Sequence, residues 1–120
     1  MNAVEQQTYT NHLIDEIIQI LDSKKANDIT VIDLQNKGYM TQFVVIATAM
    51  VGKHAVSMLN YLKEILKPQG VKFYAIDEES EDWIIMDLGE VMIHIFTQNH
   101  RNKYNLEDFL YNTFCSHATQ

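Results

Sequence analysis

Hydrophobic residues recur with a helical period in three segments of the chain. The apolar face of the first segment consists of Leu13, Ile14, Ile17, Ile18 and Leu21. This is the spacing of an amphipathic helix, and Thr10 or Asn11 is predicted to cap it. The second segment covers residues 55–66 and is predicted to end at Pro68. The tail, residues 99–114, is predicted to form a final helix or a pair of short helices.

Between these segments lie runs that predict strands. Residues 29–34 and 43–48 are mainly apolar and rich in β-branched side chains, which is typical of strands covered on both faces. Residues 71–76 alternate between apolar and polar side chains, as a half-exposed strand does. All three runs are therefore assigned to one sheet.

Two more strands, residues 83–86 and 90–96, are separated by only three residues. This spacing predicts a tight hairpin in which Gly89 adopts a positive φ. The order helix, two strands, helix, three strands, helix predicts an α/β fold with a mixed sheet of about five strands. No linker interrupts residues 1–120. They are interpreted as a single domain with its core at 11–111 and a mobile tail at 112–120.

Composition places the chain among folded proteins of a reducing compartment. Its 120 residues are 47% apolar with four glycines and one proline, which excludes disordered and collagen-like classes. Cys115 is the only cysteine, so no intramolecular disulfide can form. No apolar run approaches the roughly 20 residues that span a bilayer. The first ten residues lack the pattern of a signal peptide. We therefore expect a soluble, cytoplasmic protein.

The acidic balance of the chain narrows its choice of partners. Nine basic and sixteen acidic residues give a formal net charge of −7. This charge disfavours broad contact with DNA or RNA phosphates and with anionic membranes. It favours a basic partner, such as a ribosomal protein, through long-range attraction.

Catalytic and metal-binding patterns are nearly absent. Cys115 and His117 are close in sequence, but they lie in a polar tail, so we interpret the thiol as a surface or half-buried group. His94 lies in the middle of a strand and is expected to be a core or edge residue that is hydrogen-bonded to the backbone. We therefore predict no catalytic residue, no metal and no cofactor. One alternative stays open: a nucleotide-binding or nucleotidyl-transferring enzyme that uses Lys53 and His54 at a helix start.

An acidic run followed by tryptophan suggests a docking surface. Residues 77–82 contain five carboxylates and precede Trp83. Such runs are usually solvated loops, but tryptophan is enriched at binding hot spots and acidic rims attract basic partners. Alternation places Trp83, Ile85 and Asp87 on one strand face, with Leu88 close by at the hairpin tip. We expect an exposed Trp83–Leu88 pair to bind a partner. The neighbours predicted to assist it are Asp87, Glu79 and Glu81.

Four stretches of the chain carry a resemblance to a known family. Residues 82–96 match the pattern Trp-hydrophobic-hydrophobic-x-Asp-x-Gly-Asp-Val-x-x-His nearly throughout. Residues 28–34, 43–54 and 101–107 match its other motifs, the last of which is Arg-x-x-Tyr-x-Leu-Glu. Over residues 26–110 the chain thus resembles the ribosomal silencing factor family, also called Iojap-like or DUF143.

The resemblance implies a nucleotidyltransferase-like α/β fold without catalytic carboxylates and a role that is not enzymatic. Members bind the large ribosomal subunit through large-subunit ribosomal protein 14, block joining of the small subunit and repress translation when nutrients are limiting. By motif position, Trp83 and Leu88 would be the docking residues, with Asp87 and the acidic run beside them. The family also implies a homodimer as a further assembly.

The chain departs from the family pattern within residues 38–54. Gln42 stands where most members have Asp. After the second strand, Val51 and Gly52 replace two serines and Lys53 replaces an arginine. The hairpin that carries Trp83 keeps the pattern.

Overall fold

Five strands form one mixed sheet with helices packed on both faces. The computed structural model describes residues 2–115. The strands are β1 (Asn27–Asp33), β2 (Phe43–Ala49), β3 (Ala75–Ser80), β4 (Trp83–Asp87) and β5 (Val91–Thr97). Their spatial order is β1-β2-β5-β4-β3, in which β2 and β5 are parallel and the other pairs are antiparallel. The predicted α/β fold with a mixed five-stranded sheet is confirmed.

The helices follow the predicted order. They are α1 (Ala3–Ser23), α2 (Gly52–Leu66), α3 (Gln98–Tyr104) and α4 (Leu106–Leu110), with a 3₁₀ turn at Lys67–Gln69 and a π-helical turn at Tyr111–Cys115. The predicted cap of α1 is wrong, because the side chain of Asn2 accepts a hydrogen bond from the Glu5 N–H at 2.8 Å. Thr10 lies inside α1, where its hydroxyl donates to the carbonyl of Gln6 at 3.0 Å.

Alternate residues of the central strands face two separate apolar clusters. Val45 and Ile93 pack with α1 and α2 on one face, whereas Val44 and Phe96 pack near α4 on the other. All of β2 is buried, which confirms its predicted coverage on both faces. The same prediction is wrong for β1, where Ile32 is the only buried residue. The reason is that β1 pairs only with β2 and forms an edge of the sheet.

The third strand lies further along the chain than predicted. Residues 71–74 are outside the ladder, although the N–H of Tyr74 donates to the carbonyl of Asp87 at 2.8 Å. Pairing of Ile76 with Met86 places β3 over most of the acidic run instead. That run is therefore an edge strand and not the solvated loop that its composition predicts. Exposed charge is a common feature of edge strands because it opposes pairing with other chains.

Packed side chains are also found in residues 112–115. Phe114 contacts Tyr39 edge to face with ring centroids 5.0 Å apart, and Cys115 is half-buried with its Sγ 3.9 Å from the Asp33 carbonyl oxygen. Of the tail predicted to be mobile, residues 112–115 belong to the π-helical turn. Its remainder, with His117, lies outside the described residues. No helix within residues 2–115 is long and apolar enough to cross a membrane.

A buried arginine joins α3 to the sheet and to α4. Arg101 is 6% exposed, and its Nε and Nη2 donate to Glu107 Oε2 at 3.0 and 2.8 Å. Nη1 donates to the Thr48 hydroxyl at 2.7 Å and to the Asp28 carbonyl. Nη2 also donates to the Thr30 hydroxyl at 2.9 Å. The planar guanidinium thus donates hydrogen bonds to β1, β2 and α4 at the same time.

Replacement of Arg101 by leucine should lower the free energy of unfolding by about 3 kcal/mol, because it leaves the Glu107 carboxylate partly buried without its partner. Urea unfolding followed by circular dichroism measures this change. Asn102→Leu, at an exposed neighbouring position, should change stability by no more than about 0.5 kcal/mol. Equal midpoints for the two variants would show that the arginine network does not stabilise the fold.

Candidate docking surface

Strand β4 presents two faces of different character. Ile84 and Met86 are fully buried towards α1 and α2. Trp83, Ile85 and Asp87 are half-buried on the other side of the strand. The prediction that these three residues share one face is therefore confirmed, and we call them the β4 face. They form a half-exposed row beside the acidic edge strand.

Trp83 is held in place by two aromatic neighbours. Its ring stacks on Phe96 with centroids 4.9 Å apart and a 29° interplanar angle, and it lies 4.9 Å from the ring of Tyr104. Phe96 is fully buried, whereas Tyr104 is 46% exposed. The indole is thus neither sealed in the interior nor free in solvent. It belongs to an aromatic cluster that reaches the surface through Tyr104.

The indole N–H is bonded to a buried histidine. Trp83 Nε1 donates to His94 Nδ1 at 3.0 Å, so the expected hydrogen bond from His94 to the backbone is wrong. His94 is 4% exposed, and burial lowers the pKa of its imidazole from 6.5 to about 4. The neutral ring then carries its proton on Nε2, which has no hydrogen-bond partner among the described residues.

Leu88 does not form an exposed pair with Trp83, and that prediction is wrong. Leu88 is 7% exposed and packs in the cluster of α1 and α2, on the opposite side of the sheet from Trp83. Its N–H donates to the Val91 carbonyl at 2.9 Å, which closes the hairpin turn. The aliphatic side chain turns inward because full burial of a leucine contributes about 1.5–3 kcal/mol.

Asp87 shapes the hairpin tip. Its Oδ1 accepts a hydrogen bond from the Gly89 N–H at 2.8 Å, and Gly89 has the predicted positive φ of 92°. A Cβ on Gly89 would also lie 3.0 Å from the ring of Tyr74. Both the backbone conformation and the neighbouring ring therefore require glycine here.

The acidic residues named as neighbours are exposed but not equivalent. Glu79 lies on the edge strand β3, beside Glu78, whose carboxylate is 3.6 Å from the Lys63 ammonium. Glu81 lies in the turn before β4, and its Oε1 is 2.7 Å from the place that a Cβ on Gly52 would occupy. The Glu81 carboxylate thus covers the amino terminus of α2, where negative charge is favourable.

The alternative enzyme site gains little from this geometry. His54 Nδ1 accepts a hydrogen bond from the Met50 N–H at 3.0 Å, and its Nε2 lies 2.5 Å from the Lys24 carbonyl oxygen. Both ring nitrogens are therefore used inside the protein. No group of three or more potential metal ligands occurs within residues 2–115. The space over Gly52, which a bound phosphate would need, holds the carboxylate of Glu81.

Sequence reasoning missed the aromatic cluster around Trp83. The hairpin register pairs Trp83 with Phe96 and Ile85 with His94, and alternation from the predicted turn could have placed both rings beside the indole. Tyr104 is different, because its contact depends on how α3 packs over the sheet. No local pattern in the sequence predicts that contact.

Comparison of the sequence with known proteins points to one family. Residues 7–119 match the sequence profile of the family described as ribosomal silencing factor during starvation. The chain is 28% identical over 96 residues to ribosomal silencing factor RsfS of Haemophilus influenzae, covering 79% of this chain and 94% of that protein. It is 31% identical over 94 residues to the chloroplastic protein Iojap of Arabidopsis thaliana, covering 78% of this chain and 40% of that longer protein.

Solved structures share the fold. A crystal structure of a protein from Bacillus halodurans has a TM-score of 0.72 and 27% identity, covering 82% of this chain and 93% of that chain. One from Chromobacterium violaceum has a TM-score of 0.78 and 24% identity, covering 82% and 83%. These similarities support the arrangement of strands and helices described above.

Burial of the His94 imidazole should make stability depend on pH. Because the pKa of His94 falls from 6.5 to about 4 on folding, the unfolded chain binds the proton more readily between these values. The stabilisation is fully present above pH 6.5 and is lost as the pH falls towards 4, by about 3 kcal/mol in total.

The variant His94→Asn keeps an acceptor for the indole N–H but does not titrate, so it isolates this effect from the carboxylates. Urea unfolding at pH 7, 6, 5 and 4, read by the fluorescence of Trp83, the only tryptophan in the sequence, gives the comparison. Parallel pH profiles for the wild type and the variant would contradict the prediction.

Proposed function

Because the chain belongs to the ribosomal silencing factor family, we propose that it binds the large ribosomal subunit through large-subunit ribosomal protein 14 and blocks joining of the small subunit. The family match along nearly the whole chain is the observation that carries this proposal. Its expected consequence is repression of translation when nutrients are limiting, and its expected compartment is the cytoplasm. The action is exclusion by volume, and it requires no catalysis.

The β4 face with its acidic surroundings is the proposed contact. Trp83 supplies an aromatic anchor with one neighbour, Tyr104, already at the surface. Glu79, in the neighbouring edge strand, and Glu81, in the turn before β4, are exposed and contribute the negative field that attracts a basic protein. Asp87 and Leu88 contribute by fixing the hairpin tip, Asp87 from its half-exposed side and Leu88 from the core.

The size of the protein suits steric exclusion. Its described part measures 39 × 36 × 22 Å. Even the smallest of these dimensions is much larger than the gap between two macromolecular surfaces in contact. A body of this size held at the joining surface therefore prevents approach of the second subunit. No movement within the protein is needed for this action.

Substitution Ile85→Lys should weaken binding to purified large subunits, because it places a positive charge at the centre of the face that meets a basic partner. We expect the dissociation constant to rise at least tenfold, measured by co-sedimentation. Val31→Lys is the matched control, since Val31 is an exposed aliphatic residue on the opposite edge strand. Equal losses for both variants would count against the β4 face.

Trp83→Ala should weaken binding by about 2 kcal/mol or more, which is roughly 30-fold, if the indole is a hot spot. Trp83→Phe retains an aromatic ring over Phe96 and separates loss of the fold from loss of the anchor. Circular dichroism and thermal unfolding are measured on both. A folded Trp83→Ala protein that binds large subunits as the wild type does would refute the anchor role.

The same face is proposed to support a homodimer when no ribosome is present. Half-exposed apolar side chains on β4 would then be covered by a second copy, and the exposed acidic residues would limit its stability. Sedimentation at several protein concentrations measures the association. Ile85→Lys should remain monomeric throughout, whereas Val31→Lys should behave as the wild type.

A further inference from the structure

A cleft between the end of α1 and the start of α2 gathers unused hydrogen-bond donors. Its volume is about 370 Å³, and its polar lining comprises Lys24, Lys53, Ser57, Asn60, Tyr61 and Glu64. This is room enough for a phosphate group with its attached sugars entering from solvent. The chemistry of the lining indicates which kind of group would fit.

Three of these donors form a row along α2. Lys53, Ser57 and Asn60 are spaced by four and three residues, so they lie on one face of the helix. Within residues 2–115, none of their side chains makes a hydrogen bond or an ion pair. Lys24 forms the facing wall, with its ammonium 4.3 Å from the centre of the Tyr61 ring, a contact that holds the charge over the cleft.

Two other cations within residues 2–115 are already paired with carboxylates. Lys63 is paired with Glu78, and Arg101 is buried against Glu107. Lys24 and Lys53 have no carboxylate partner within residues 2–115. Glu64 is the one carboxylate on the described lining, and it lies one helical turn beyond Asn60. With two lysines and one glutamate on its lining, the cleft has a net positive charge in a protein of net charge −7.

The cleft lies at the same end of the sheet as Trp83, although α2 covers the face opposite to the β4 face. Glu81, in the turn that leads into β4, contacts Gly52, and Lys53 is the next residue. A partner that covers the β4 face and this end of the sheet would therefore meet negative charge on one side and positive charge on the other. A ribosomal subunit offers both counterparts, because basic proteins and phosphodiester backbone alternate on its surface.

We propose that this cleft binds a backbone phosphate of ribosomal RNA when the protein is docked on the large subunit. The two ammonium groups neutralise the phosphodiester, while the Ser57 hydroxyl and the Asn60 amide donate to its oxygens. The inference rests on the proposed function, and it adds a nucleic-acid contact to a surface otherwise suited to protein. The contact depends on the charge of the phosphate and is independent of base sequence.

The first experiment measures the salt dependence of binding to purified large subunits. The double variant Lys24→Gln/Lys53→Gln should reduce the slope of log K against log salt by about 1 between roughly 50 and 200 mM KCl, as expected for loss of one phosphate contact. The control Lys37→Gln/Lys67→Gln removes the same charge in the loop before β2 and after the end of α2, both away from the cleft. It should leave the slope unchanged. Equal slopes for the cleft variant and the wild type would overturn the proposal.

The second experiment does not depend on the ribosome. Amide chemical shifts of the isotope-labelled wild type are followed during titration with a short RNA duplex at low salt. Shifts are expected at Lys24 and along residues 53–61, and they should be absent in the double variant. ATP with magnesium is titrated separately. Shifts at these residues with ATP but none with RNA would overturn the proposal in favour of a nucleotide site.

The two experiments separate the two proposals. If the wild type binds large subunits, the slope decides the role of the cleft. If the wild type does not bind them at all, the proposed function fails, and the RNA titration alone decides whether the cleft recognises a phosphodiester.

Discussion

The pairing of β2 with β5 is the contact on which the rest of the structure depends. The two strands run parallel at the centre of the sheet, and all seven residues of each are buried. Parallel strands buried in this way require a helical layer on each face. Helices α1 and α2 form one layer, and α3, α4 and the π-helical turn contribute the other. The sheet itself is consequently accessible to a partner only at its edges and ends, where coverage stops.

Trp83 lies where the helical layer over the sheet ends, and it therefore has two roles. Its contacts with Phe96, Tyr104 and His94 belong to the fold, whereas the half-exposed side of the ring is available to a partner. A ring already held by neighbours loses little conformational freedom on binding, so more of the contact energy remains as affinity. For the same reason, truncation of the Trp83 side chain is expected to affect stability and binding together, whereas a substitution at Ile85 is expected to affect mainly binding.

Charge is divided between two neighbouring surfaces at this end of the molecule. Exposed carboxylates follow β3 and the turn before β4, and the Glu81 carboxylate occupies the amino terminus of α2. Lys53 of the α1–α2 cleft is the next residue after Gly52, and Lys24 faces it from the end of α1. The net charge alone predicts that this acidic protein does not bind RNA. With this local distribution, both signs of charge would set the orientation of the protein on the mixed protein and RNA surface proposed above.

Local chemistry in the sequence determined the hairpin and the two faces of β4, because a three-residue turn with Gly89 at positive φ fixes the register and alternation follows from it. It also determined the order of elements, since apolar periodicity is a property of neighbouring residues. Only the tertiary structure decided that β1 is an edge, that Leu88 is buried and that His94 bonds to the indole. These features depend on which strand pairs with which and which helix covers which face. Strand pairing and helix packing depend on contacts between residues far apart in the chain, and the periodicity of neighbouring residues does not predict such contacts.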